Sequence, residues 1–288
     1  MATVREIRLR IRSVGNTARV TRAMQMIAAS KMRRAQERVS SARPYAEKLR
    51  AVLAGLAAQG AGEGDMDHPL LERRPVSNVL LLEITPDRGL AGGLVSAINR
   101  VAGRFMLAAQ SPTSVVTVGK KGRDFMVRAG RDVKGSFIDM GDAPSVADTL
   151  PVTTMLQRMY TEGEVDEVHI AYTRFVNTMV QEAVVTQLLP VDTGELVEPG
   201  GPVDYIYEPD ADAVLGALLP RFLETQVYLA FLESAASEQS ARMVAMQKAT
   251  DAANDMVDEL TLEMNKARQN SITAELLDLV GGVAALEG

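Results

Sequence analysis

The sequence contains no cysteine and no tryptophan. The first absence excludes disulfides, thiolate metal sites and cysteine nucleophiles. Aromatics make up only 4% of the 288 residues, too little ring bulk for an ordinary aromatic core. That favours helices packed through small aliphatic side chains. Histidine is scarce as well: His68 and His169 lie far apart, and neither has a partner at metal-ligand spacing. No run reaches ~18 apolar residues, so no segment is expected to span a membrane. Acids are scarce at the start. Residues 1–50 hold 13 Arg or Lys against Glu6, Glu37 and Glu47, whereas the remainder holds 18 basic and 34 acidic residues. Such polarity implies a self-complementary chain or a local anionic partner.

Apolar residues are plentiful at 47%, enough for a buried core. From Val4 they recur at alternating spacings of three and four: Val4, Ile7, Ile11, Val14, Ala18, Thr21, Gln25, Ala28, Met32, Ala35, Val39, Ala42, Ala46, Leu49, Leu53, Leu56. This is a heptad seam, and no Arg or Lys of residues 1–38 falls on it. The Arg-rich start could pass for a transit peptide, but the periodicity runs unbroken to about residue 56. The helix would be roughly 80 Å long at about 1.5 Å per residue. "QGAGEGDMDHP" (Gln59–Pro69) should end it. A second seam runs from Leu218 through Phe222, Thr225, Leu229, Leu232, Ala236, Gln239, Met243, Met246, Thr250, Ala253, Val257, Leu260 and Met264 to Ala267. Pro209 and Asp210 suit its start, and Pro220 predicts a kink or a delayed start. Residues 211–278 carry 11 acids and five basic residues, complementing the basic first helix.

The middle changes period. "VSNVLLLEI" (Val76–Ile84), "SVVTV" (Ser114–Val118), "DVKGSFI" (Asp132–Ile138), "DEVHIAYTRF" (Asp166–Phe175) and "MVQEAVVTQLLPV" (Met179–Val191) read as strands. Helices are expected at about 94–109, 121–130 and 145–161, with a tight turn at Asn177–Thr178. The fold class is α/β plus a long antiparallel coiled coil: the N- and C-terminal helices pair as a shaft on a central, mostly parallel, Rossmann-like α/β domain. The expected domains are 1–58, the first shaft helix; 70–208, the α/β foot; and 209–286, the second shaft helix. Aligning the helix roots, residue 57 beside 209, makes paired positions sum to about 266. Met24 then faces about Arg242. The stretch "NKARQNSITAELLDLVGGVAAL" (Asn265–Leu286) is left unpaired, with Ile272, Leu276, Leu277, Leu279 and Val280 wet. At ~25 cal/mol per Å2 that forfeits several kcal/mol, so the tip needs an external sleeve.

No catalytic constellation appears. His169 reads as structural in its strand and His68 as a loop residue. "TPDRGLAGG" (Thr85–Gly93) follows a strand and precedes a helix, but it lacks both the Gly-x-Gly-x-x-Gly pattern and the Gly-Lys-Ser/Thr ending. It reads as a structural turn. No cofactor or metal is expected. The basic helix could serve as a nucleic-acid arm, and a coiled-coil nucleic-acid binder is the alternative reading. Against it, no aromatic precedes Tyr45 for base stacking. Direct membrane insertion is not expected, since the apolar face is narrow and lacks large residues.

Five segments carry a resemblance. "EIRLRIRSVGNTARVTRAMQMIAASKM" (Glu6–Met32), "DRGLAGG" (Asp87–Gly93), "DYIYEPD" (Asp204–Asp210), "SEQSARMVAMQKATDAA" (Ser237–Ala253) and "NKARQNSITAELLDLVGGVAAL" occur in one order. The chain resembles the gamma subunit of bacterial F-type ATP synthases over its whole length. It departs at Pro86, usually a small polar residue, and at Ala91, often Cys. The Cys-bearing insert of plastid members is absent.

The resemblance implies a non-catalytic rotor subunit without cofactor. It implies three alpha and three beta subunits around the coiled coil, and epsilon and a membrane c-ring at the foot. It implies a peripheral location on the cytoplasmic side of the cell membrane. By position, it implies that Arg268 and Gln269, with Thr273 one turn on, contact a beta subunit, as do Lys31, Arg33 and Arg34. Met24 and Arg242 match shaft residues that matter for coupling. Tyr205, Tyr207 and Glu208 match a contact with c-ring and epsilon.

Overall fold

The computed structural model describes residues 3–60, 68–192, 208 and 210–287, with the side chains of 57–60, 211 and 283–287 excepted. Two helices dominate: α1 (Val4–Gly60) and α5 (Ala211–Glu287). They touch each other, and a five-stranded, mostly parallel sheet lies among helices in the chain between them. The chain divides into two compact units, Ala28–Arg242 and Met1–Ile27 with Met243–Gly288.

The larger unit is built on the sheet. Its strands are β1 (Val79–Ile84), β2 (Thr113–Val118), β3 (Val133–Phe137), β4 (Glu167–Phe175) and β5 (Gln181–Leu189), in the order β3-β2-β1-β4-β5. The first four are parallel and β5 runs antiparallel to β4. Between them lie α2 (Leu94–Ala108), α3 (Lys120–Arg128) and α4 (Val146–Thr161). Side chains alternate across a strand, so β1 serves two cores. Leu81 joins Val115 and Ala171 under Ile98, Ala102, Met106 and Met126 of α2 and α3. Leu80, Leu82 and Ile84 join Val152, Leu156 and Tyr160 of α4, together with Leu49, Leu53 and Leu56 of α1 and Leu215, Leu219 and Phe222 of α5. β1 is buried on both faces, which is why it reads as an apolar run broken only by Glu83. A capping box starts α4: Ser145 and Asp148 satisfy each other's backbone N–H.

Every element expected between residues 76 and 191 is present, with ends shifted by at most three residues. Asn177 Oδ1 accepts from the N–H groups of Met179 and Val180 and closes the β4–β5 turn. At the start of α5, Asp210 caps the helix by accepting from Ala213 N at 2.7 Å. Pro220 does not delay it, since the helix begins at Ala211.

In the smaller unit, α1 opens with a second capping box. Thr3 N donates to Glu6 Oε2 at 2.9 Å and Glu6 N to Thr3 Oγ1 at 3.3 Å. Those bonds, the backbone one first, hold the Glu6 carboxyl below the usual range. Ile7 and Ala18 of α1 are buried, as are Met246, Thr250 and Ala253 of α5. Thr21 and Thr250 share a hydrogen bond at 2.7 Å across the seam. The register is shifted from expectation: Thr21 meets Thr250 rather than a residue near 245. In the larger unit, Arg43 pairs with Glu233 at 3.2 Å instead of a residue near 223. The reason lies at the root. The first turns of α5 are spent in the sheet core through Leu215 and Leu219, so α1 runs beside later residues of α5 than an even start would give.

Candidate functional site: a bare helix tip and a polar collar

The tip comes first. In α5, seam residues Val257, Leu260, Met264 and Ala267 remain half-buried, and then protection stops. Every residue from Arg268 to Gly282 is exposed. Ile272, Leu276, Leu277, Leu279 and Val280 stand in solvent, Leu277 at 67%. The expected unpaired tip is therefore present. Arg268, Gln269 and Thr273 lie at its base, all exposed, and Thr273 Oγ1 donates to Gln269 O at 3.0 Å. Met24 is half-buried.

The second feature belongs to the larger unit, where the carboxyl ends of the strands meet residues 28–60 of α1 and 211–242 of α5. In doubly wound sheets, ligands enter outside the carboxyl ends of the strands, where the strand order reverses. Here that point lies between β1 and β4, and α5 occupies it. Ser237 Oγ donates to Thr173 O at 3.1 Å, and Ser234 Oγ accepts from Thr173 N at 3.4 Å. Ser240 Oγ donates to Thr178 O at 2.7 Å. The three serines recur at every third position, so they share one helix face. The space left beside them is about 50 Å3, lined by Thr85, Asp87, Thr173, Phe231 and Glu238 among others. Small-molecule pockets run to about 300 Å3 and more.

The loop after β1, "TPDRGLAGG", is part of this collar. Its Asp87 accepts from the N–H groups of Lys120 and Asp139, both at 3.0 Å. Thr85 Oγ1 donates to Val118 O and accepts from Gly122 N. Arg242, with its side chain 12% exposed, donates to Gly89 O at 3.2 Å and pairs with Glu238 at 2.7 Å. Burial pushes the Glu238 carboxyl up, and Arg242 opposes it. Thr85, Asp87 and the Gly89 carbonyl are thus committed to the chain itself.

The expected cations differ in placement. Lys31 Nζ lies 2.6 Å from Asp142, so its charge is matched inside the chain. Arg33 is highly exposed and makes only a loose pair with Glu37 at 3.5 Å. Arg34 donates to Ser30 Oγ at 3.2 Å. Glu208 is exposed, while Tyr205 and Tyr207 lie outside the described residues. His169 pairs with Glu167 at 3.0 Å and packs on the Phe105 ring. His68 Nδ1 accepts from Leu70 N. Asp142 and the three serines were not singled out from the sequence. The Ser-x-x-Ser-x-x-Ser spacing was a visible signal; the reach of Asp142 across the chain was not.

The chain is similar to known proteins over nearly its whole length. The family model described as ATP synthase matches residues 3–286. ATP synthase gamma chains from Dehalococcoides mccartyi and Chloroflexus aurantiacus are 57% and 47% identical. Each alignment covers 99% of this chain and at least 99% of the relative. The chain belongs to the ATP synthase gamma-chain family. Members of this family are the non-catalytic central rotor stalk of F-type ATP synthases. The chain is also similar to a chain in the central stalk and c-ring structure of the Tetrahymena thermophila mitochondrial ATP synthase. The TM-score is 0.60 at 25% identity, covering 80% of this chain and 99% of that one. A chain of the Euglena gracilis mitochondrial enzyme shares the fold at TM-score 0.67 and 20% identity, covering 98% of this chain and 94% of that one. With the family established, the nucleic-acid reading lapses. Among the described residues no helix is long and apolar enough to cross a membrane.

Proposed function

We propose that this chain turns as a shaft inside a ring of three alpha and three beta subunits. Its foot stands on a c-ring and binds epsilon, peripheral to the cytoplasmic face of the cell membrane. The working division is residues 1–58 and 209–286 for the shaft and 70–208 for the foot. The observation that carries the reading is the bare stretch from Arg268 to Gly282. An apolar helix left wet requires a sleeve. A sleeve contacted through Leu, Ile and Val offers few directional bonds, so the tip can turn within it.

Arg268, Gln269 and Thr273 supply hydrogen-bonding groups at the base of the tip for a beta subunit. Arg33 and Arg34 offer cations further down. Lys31 offers a third cation while also paired with Asp142. Met24 and Arg242 act in coupling, Arg242 through the loop and helix contacts described above. Tyr205, Tyr207 and Glu208 serve the c-ring and epsilon contact. Proton flow turns c-ring and shaft together. The asymmetric shaft then favours a different beta conformation at each angle, linking rotation and nucleotide affinity reciprocally.

The test is assembly. Purified chain mixed with alpha and beta subunits should be recovered with three of each per copy, in a complex that hydrolyses ATP. Failure to form that complex would overturn the reading.

A further inference from the structure

Torque must cross from the sheet to the two helices within one chain. The apolar contacts there, such as Leu53, Leu56, Leu215 and Leu219 against the sheet, are non-directional. Directional contacts must set the angle. Among the described hydrogen bonds, the Asp142 carboxylate touches both helices at once. Its Oδ2 lies 2.6 Å from Lys31 Nζ of α1, and its Oδ1 accepts from Gln239 Nε2 of α5 at 3.4 Å. Asp142 stands in the connection between β3 and α4, directly after Gly141, whose φ of +78° turns the chain there. Gln239 is buried.

We propose that Asp142 is a positioning residue that pins both shaft helices to the foot and fixes their rotational phase. The proposal rests on the rotor reading above. The charges around Asp142 are arranged for this. Lys31 donates to it, and Arg88 and Arg242 add positive potential, which together hold the carboxyl below its usual range. Glu238 and Asp87, the acids facing the same cations, are themselves occupied by Arg242 and by the Lys120 and Asp139 amides. The Lys31 and Asp142 side chains are 35% and 39% exposed. A pair this exposed adds little to folding stability, so what it supplies is orientation. The serine face of α5 locks that helix to β4 and its turn. Asp142 extends the lock to α1.

The experiment uses the complete complex in sealed vesicles and reads proton pumping per ATP hydrolysed. Asp142→Lys places two ammonium groups together and should lower that ratio about twofold or more at unchanged hydrolysis. The charge swap, Lys31→Asp with Asp142→Lys, should recover part of it, since the ammonium introduced at position 142 still meets Arg88 and Arg242. Thermal unfolding of the isolated chain should barely move for either. A ratio equal to the unsubstituted complex in Asp142→Lys, or no restoration in the swap, overturns the proposal. If Asp142→Lys does not assemble, Asp142→Asn carries the test: a lowered ratio supports the proposal and an unchanged one overturns it. A complex of unsubstituted chain that does not pump would count against the rotor reading instead.

Discussion

The tip of α5 and the collar in the larger unit are both helical surface, yet they are built on opposite terms. Along the tip, from Arg268 to Gly282, the described residues make hydrogen bonds only within their own helix, and the large apolar side chains face solvent. At the collar, the same helix meets backbone carbonyls, a strand amide and a carboxylate through Ser234, Ser237, Gln239, Ser240 and Arg242. Apolar contact without directional bonds allows turning. Directional bonds forbid it. On the proposed reading one helix carries a bearing surface and a spline, and the sequence change from Leu and Val to Ser, Gln and Arg marks the difference.

Placing the same charge in core and tip should break this comparison most visibly. Leu82→Asp buries a carboxylate in the sheet core, where Leu82 is fully buried, and should cost more than about 4 kcal/mol in urea unfolding. Leu277→Asp should change unfolding of the isolated chain by less than about 0.5 kcal/mol while weakening assembly with alpha and beta subunits.

Next in size is a pH effect. Glu83 sits on β1 with both carboxylate oxygens buried and unpartnered, and burial raises its pKa from 4.5 to about 7. Below pH 4.5 the group is neutral folded and unfolded, and there is no penalty. Between 4.5 and 7 the unfolded chain releases the proton first, so stability falls as pH rises. The loss should reach roughly 3 kcal/mol above pH 7. Glu83→Gln should flatten that slope in unfolding measured from pH 5 to 8.

Arg242→Ala comes third. It strips Gly89 O of a donor and leaves Glu238 mostly buried and unpaired. A cost of about 2 kcal/mol is expected in thermal unfolding, against almost none for Arg33→Ala, whose side chain is 83% exposed. The smallest effect is a gain. Gly15 is helical with open space around its absent Cβ, so Gly15→Ala should stabilise the shaft by about 0.5–1 kcal/mol.

Much of this molecule could be read from residue order because its long helices repeat. All sixteen seam positions from Val4 to Leu56 are buried or half-buried, as heptad spacing requires. Strand positions followed from runs such as Val79–Ile84, buried on both faces. Register was less legible. It depends on how many turns of α5 the sheet core consumes, and Leu215 and Leu219 do not announce that locally. The tip was legible because it is an excess of one helix over the other. The collar was not, since Lys31, Asp142 and Gln239 are far apart in sequence and meet only through the fold. Lys31 shows the same limit: its pairing with Asp142 joins residues that no local pattern links.

The rotor reading requires a tip that is bare in the isolated chain and covered in the complex. The chain has no cysteine, so Leu277→Cys introduces a single reporter thiol. In the isolated chain, maleimide should modify it at the rate of a free exposed thiol. After assembly with alpha and beta subunits, modification of this chain should become at least tenfold slower, the change that about 1.4 kcal/mol of protection produces. Equal rates before and after assembly, in a complex shown to hydrolyse ATP, would contradict the account.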